Sequence, residues 1–304
     1  MNLKNRFFLA AILLIASISL AAEQKSGDKA TVAASTFSLY DIAKNIASDT
    51  AETFMILPFG VDAHSYEPTP KDMIKISRSD LVLYSGAGLE PWIDGFEFKN
   101  RAVDVSRYVE LIELGKDKHK HDHDDHHHDR VDPHYWQDPH NMMLAAERIT
   151  EELIALFPKN REFYMKNRES YIAMLKNLDK DYKEQLSSCQ LDTIIVNHNA
   201  FSYLANRYSF HTKALSGLSP EAEPSAKSMI KLVKFIKEHR VETIFFEKFA
   251  NEKTIKSIAE EAGVSYDVLQ PLGNITADEA KEKLSYEDIM RRNLQKISKA
   301  LKCR

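Results

Sequence analysis

The stretch ATVAASTFSLYDIAKNIASDTAETFMIL, residues 30–57, holds the pattern from which the fold follows. Ala30 to Ser35 reads as a strand. Phe37 to Ala47 places Leu39, Ile42, Ala43 and Ile46 on one face of a helix, and Thr53 to Leu57 reads as a second strand closed by Pro58 and Gly60. Strand, helix and strand in this order make a crossover unit. Outward from it, Thr69-Pro70-Lys71-Asp72 supplies an N-cap, a proline at the first helical position and an acid at the third. The helix that follows runs into the strand Leu81 to Tyr84. Strands alternating with helices predict an α/β fold built on parallel sheets covered on both faces.

Downstream, Asn141 to Phe157 is helical, with Met143, Leu144, Ile149, Leu153 and Leu156 apolar and Pro158 at its end. A second long helix is predicted from about Arg161 to Leu186. The alternation then restarts. Thr193 to Val196, Thr243 to Phe246 and Ser265 to Leu269 read as strands, with a helix over Met229, Leu232, Val233 and Ile236 introduced by Pro224-Ser225. Gly263 ends a further helix before the last of these strands. The chain therefore reads as two α/β lobes joined near residues 139–157, and 304 residues suffice for two separate cores.

At the N-terminus Lys4 and Arg6 precede the apolar run from Phe7 to Leu20, and Ser19-Leu20-Ala21-Ala22 offers small residues for cleavage. Residues 1–21 are thus expected to be a cleavable signal peptide and the protein to be exported. No cysteine near that site offers a lipid anchor, which speaks against a surface-attached adhesin. Cys189 and Cys303, an even pair in an oxidising compartment, suggest one disulfide. Sequence alone leaves two free thiols as the alternative, because it does not place them within bonding distance. A formal net charge of -4 gives no footing for nucleic-acid binding.

Histidine placement carries the chemistry. Residues 116–130 hold His119, His121, His123, His126, His127 and His128, half of the chain's twelve, among five aspartates and no apolar side chain. Such a stretch cannot bury a core and is expected to be a disordered loop, either a solvated insert with no role or a weak, multi-site trap for metal ions. Of the other six, His64 follows the second strand, His134 lies in Asp132-Pro133-His134-Tyr135-Trp136, and His198 follows the strand ending at Val196. Ligands of parallel sheets bind beyond the carboxyl ends of strands. Spacing alone does not bring the three together, and capped or solvated turn histidines remain the alternative reading. Trp92, Trp136 and Tyr135 read as core packing, and His140, His211 and His239 as structural or surface residues. A secreted zinc hydrolase would also use three ligands and a water, but no general base stands at a recognisable spacing.

Five segments resemble the zinc and manganese solute-binding proteins of ABC importers. They are Asp62-Ala63-His64-Ser65-Tyr66-Glu67-Pro68-Thr69-Pro70, Gly88-Leu89-Glu90-Pro91-Trp92, Asp132 to Trp136 with Asp138-Pro139, Asn197-His198-Asn199-Ala200-Phe201-Ser202-Tyr203, and Gly217-Leu218-Ser219-Pro220-Glu221-Ala222-Glu223-Pro224-Ser225. The histidine-rich loop resembles the periplasmic zinc-uptake branch in particular. The resemblance implies a first lobe over 22–138, a linking helix at 139–157 that is long and rigid, and a second lobe over 158–304. It implies a monomeric periplasmic binding protein rather than an enzyme, which captures Zn2+ between the lobes at His64, His134 and His198 and passes it to a membrane permease. Manganese-type members usually carry a carboxylate at the third position, so His198 favours zinc over a manganese-binding reading. Many relatives also add an acid in the segment matching Gln270-Pro271-Leu272-Gly273, where this chain has none. A water, Glu247 or Asp267 is left to complete a tetrahedron.

Overall fold

A computed structural model describes residues 29–114, 131–218, 225–247 and 252–304. The expected signal peptide, the histidine-rich loop and part of the Gly217 to Ser225 segment lie outside the described residues. The first lobe has a four-stranded parallel sheet of β1 (Ala30–Ala34), β2 (Ala51–Met55), β3 (Leu81–Tyr84) and β4 (Arg101–Asp104), in the order β2-β1-β3-β4. Ala30 pairs with Ala51 and Val32 with Leu81, which fixes the register. Helix α1 (Phe37–Ala47) crosses from β1 to β2 with Leu39, Ile42, Ala43 and Ile46 fully buried, the face its spacing predicts. Helix α2 (Pro70–Arg78) begins with the expected capping box of Thr69 and Asp72.

Two long helices follow. Helix α3 (Pro139–Leu156) is capped by Asp138, whose side chain accepts from the His140 N–H. It belongs with the first lobe: its Glu152 carboxylate receives two bonds from Arg101 of β4, at 2.8 and 2.6 Å. Helix α4 (Arg161–Gln185) touches both halves. Near its start Asn167 donates to the Ile46 carbonyl at 3.0 Å and Tyr171 to Asp41 at 2.8 Å. The second lobe repeats the plan with β5 (Thr193–Val196), β6 (His211–Ala214), β7 (Thr243–Phe246) and β8 (Ser265–Val268), parallel and ordered β6-β5-β7-β8. Helices α5 (Ser202–Tyr208), α6 (Ala226–Glu238), α7 (Glu252–Ala262), α8 (Ala277–Lys281) and α9 (Tyr286–Ala300) complete it. Near its far end α4 meets α9, where Tyr182 donates to the Met290 carbonyl at 2.7 Å and Arg291 to Asp181 at 2.6 Å. The long bridging helix is therefore α4. At 1.5 Å per residue it spans roughly 37 Å.

Strands β4 and β6 escape the sequence pattern because neither carries a run of apolar residues flanked by turn signals. His211 and Lys213 of β6 are exposed, so no apolar run marks it. The Cys189–Cys303 disulfide is formed. Among the described residues no helix is long and apolar enough to cross a membrane.

One further element positions the site. After β8 the chain runs through Gln270 to Ile275 as a strap lying against the first lobe. Phe37 N–H donates to the Gly273 carbonyl at 2.9 Å and Ser38 Oγ to that of Leu272 at 2.8 Å. The Pro271 carbonyl accepts from Trp136 Nε1 at 2.7 Å and Gln137 Nε2 at 2.5 Å. Leu272 sits at φ 63°, a left-handed conformation that turns consecutive carbonyls toward different partners.

Candidate metal centre

His64 reaches the lobe junction on the loop after β2, where Gly60 at φ 82° makes the turn and Asp62 Oδ1 accepts from the His64 N–H at 3.1 Å. His134 lies in the turn before α3. There Asp132, wholly buried, accepts the His134 N–H at 3.0 Å and sits 2.7 Å from its Nδ1 through the same oxygen. His198 follows β5, and Glu247 follows the neighbouring strand β7. The strand order reverses between these two, which makes their carboxyl ends the crevice of the second sheet. The Glu247 carboxylate lies directly against His198 Nδ1, and its N–H donates to Asn197 Oδ1 at 3.0 Å.

The Asp132 and Glu247 carboxylates face Nδ1 of His134 and His198, which leaves Nε2 of each toward the cluster. The His134 Nε2 is 3.2 Å from that of His64 and 3.4 Å from that of His198. All three histidines offer a ligand atom within 4.8 Å of the others. A tetrahedral zinc with bonds of 2.0–2.1 Å sets its nitrogens about 3.3–3.4 Å apart, so the spacing already suits that ion. A cavity of about 40 Å³ adjoins them, walled by Leu89, Trp136, Pro271, Gly273 and Asn274. That volume suits an ion with a water.

The electrostatics disfavour a protonated His64. Burial, then the nearby His134 and His198, push His64 down to about 3, against a smaller upward pull from Asp132. Burial pushes Asp132 up, but its hydrogen bonds with His134 and the charge of that ring hold it below the usual carboxylate range.

Of the candidates for a fourth ligand, Asp267 is committed to Lys296 at 2.9 Å. Glu247 lines the cavity, yet its Oε1 faces the ring nitrogen pointing away from the cluster. Gln270 is turned aside, donating to Glu279 at 2.9 Å and accepting from Leu272. Trp92 and Tyr135 are buried as expected, while Trp136 is both buried and part of the cavity wall. His140 stands 3.8 Å from Glu110, and His239 stacks on Phe235 at 3.8 Å, so neither joins the cluster. His211 stays on β6. Sequence reasoning gave no role to Asp132 and none to Asn274. The aspartate two residues ahead of His134 was the available signal, because that spacing lets one carboxylate hold both main chain and ring.

The family described as zinc-uptake complex component A, periplasmic (ZnuA) matches residues 32–300. The high-affinity zinc uptake system protein ZnuA of Bacillus subtilis is 34% identical over 308 residues, covering 97% of this chain and 94% of that protein. The zinc-binding lipoprotein AdcA of Streptococcus pneumoniae is 32% identical over 97% of this chain, which spans 60% of that longer relative. The crystal structure of the Zn(II)-bound ZnuA-like domain of Streptococcus pneumoniae AdcA superposes with a TM-score of 0.76 at 30% identity, covering 90% of this chain and 99% of that one.

Proposed function

The chain belongs to the zinc-uptake component A family of solute-binding proteins, and from that membership we propose that it captures Zn2+ outside the cytoplasm and delivers it to the permease of an ABC importer. The observation that carries this reading is the convergence of three histidines, with Nε2 of His134 at zinc spacing from Nε2 of both His64 and His198. His64, His134 and His198 are the ligands, and a water in the adjoining cavity completes the tetrahedron. Asp132 and Glu247 serve as orienting carboxylates. They fix the tautomers of His134 and His198 and balance the charge of the ion, the usual arrangement behind a zinc-bound imidazole.

Three neutral imidazoles without an acid at 270–273 suit zinc better than the harder manganese ion. The same set argues against hydrolysis, since the Asp132 and Glu247 carboxylates both face imidazole Nδ1 atoms. Residues 1–21 act as the cleavable signal peptide, and His119, His121, His123, His126, His127 and His128 as auxiliary weak sites. The first lobe is taken to end at 138, with α4 rather than 139–157 as the link, a division supported by the contacts of α4 with α1 and α9. The working protein is a monomer.

Metal analysis of the purified mature protein, beside zinc and manganese titrations of a variant lacking residues 117–129, tests the reading. One tight zinc per chain, selective over manganese, is the expected result. Preference for manganese overturns it.

A further inference from the structure

His64 is the member of the cluster whose loop is held by the opposite lobe. His134 is fixed by the wholly buried Asp132, and His198 stands two residues beyond β5. The loop carrying His64 instead takes its bonds from the strap of the second lobe. Both hydrogens of the Asn274 amide are spent on it, Nδ2 donating to the Pro58 and Val61 carbonyls at 2.7 Å each. Gly60 N–H returns a bond to the Ile275 carbonyl at 3.0 Å. Asn274 is only 4% exposed, and its own Oδ1 accepts from the Ile275 N–H at 2.7 Å, so the side chain has one orientation that satisfies it.

We propose that Asn274 is a positioning residue for zinc capture, which holds the Pro58–Val61 turn against the strap and thereby sets His64 at ligand distance from the other two histidines. The proposal rests on the reading of His64 as a ligand. Its chemical logic is that an amide can bridge two carbonyls as a donor, whereas a carboxylate in the same place would face them as an acceptor. The second lobe thus contributes to the first-lobe side of the site without an acid of its own. His64 becomes a ligand whose placement depends on contact between the lobes. A movement that draws the strap from the turn withdraws one of three imidazoles, a route by which the importer loosens its cargo.

The test uses full-length mature protein with residues 117–129 deleted, zinc as the probe, and a double-mutant cycle of Asn274→Ala with His64→Ala. The expected result is a loss of affinity of about tenfold or more for Asn274→Ala alone, and no further loss when it is added to His64→Ala. X-ray absorption of the zinc-loaded single variant should count two imidazoles rather than three, which mere loosening of the fold does not produce. Asn274→Asp should lose at least as much as the alanine variant. If Asn274→Ala does not fold, Asn274→Ser, which keeps one donor, is read by the same criteria. Parental affinity and three imidazoles in the Asn274 variant overturn the proposal, as does an equal loss in the His64→Ala background. Parental affinity in His64→Ala alone overturns the ligand reading itself and removes this proposal with it.

Discussion

The Asp132 and Glu247 carboxylates face Nδ1 of His134 and His198, and on the proposed assignment of Nε2 to the ion this decides how substitutions should behave. In a background without residues 117–129, alanine at His64, His134 or His198 should each weaken zinc binding at least about tenfold in a calorimetric titration. Parental affinity in the His198 variant removes the three-histidine site. Glu247→Gln keeps an acceptor beside Nδ1 but removes a negative charge, so about tenfold loss with unchanged stoichiometry is expected. A loss of the bound ion altogether would make Glu247 a ligand. The depressed His64 sets a pH dependence of opposite sense to an ion-paired histidine. Unfolded, it takes up a proton below its ordinary 6.5; folded, it does so only near 3. Within that window the unfolded chain binds the extra proton, so this contribution to stability is intact above 6.5 and lost progressively as pH falls. The metal-free protein should melt at lower temperatures from pH 7 toward pH 4 in thermal scans, and His64→Ala should flatten that slope. The residue types of the cluster were legible, but their convergence came only from the resemblance and not from spacing, because His64 and His198 stand 134 positions apart.

At the scale of elements, the crossover units announced themselves through the periodicity of α1 and the cap of α2, since burial of one face leaves a mark on composition. The strap left none. Its work is done by the carbonyls of Pro271, Leu272 and Gly273, and a main-chain acceptor has no residue signature. The sequence pattern does not single out α4 as the link, for a related reason. Helices α3 and α4 both carry apolar stripes, and only contacts at the two ends of a helix reveal which one spans. The disulfide beyond α4 closes a segment 114 residues apart in sequence. In the chain-entropy account such a closure is worth about 4–5 kcal/mol. Reduction should therefore lower the melting temperature by about 7–8 °C while zinc affinity stays near the parental value, since neither cysteine belongs to the histidine cluster. A melting curve indifferent to reductant would show that the link adds nothing.

At the scale of the whole molecule, two sheets, one rod-like helix and one strap make a cage whose cargo bonds come from both sides. Zinc that binds only this closed arrangement must stabilise it. At a hundredfold excess over the dissociation constant the gain is about 2.7 kcal/mol, which should appear as a rise of about 5 °C or more in melting temperature. Deleting residues 117–129 should reduce the zinc ions bound per chain yet leave one tight site, as read by equilibrium dialysis; abolished tight binding would relocate the site to the loop. The disulfide has a consequence of another kind. Between Cys189 and Cys303 the polypeptide is a closed covalent ring that contains the second sheet, the strap and α9. A single protease cut inside that ring frees no fragment: both new ends stay joined through sulfur, and the halves can reassociate where severed pieces would drift apart. A nicked molecule would run as one band without reductant and as two with it, and would still hold its ion.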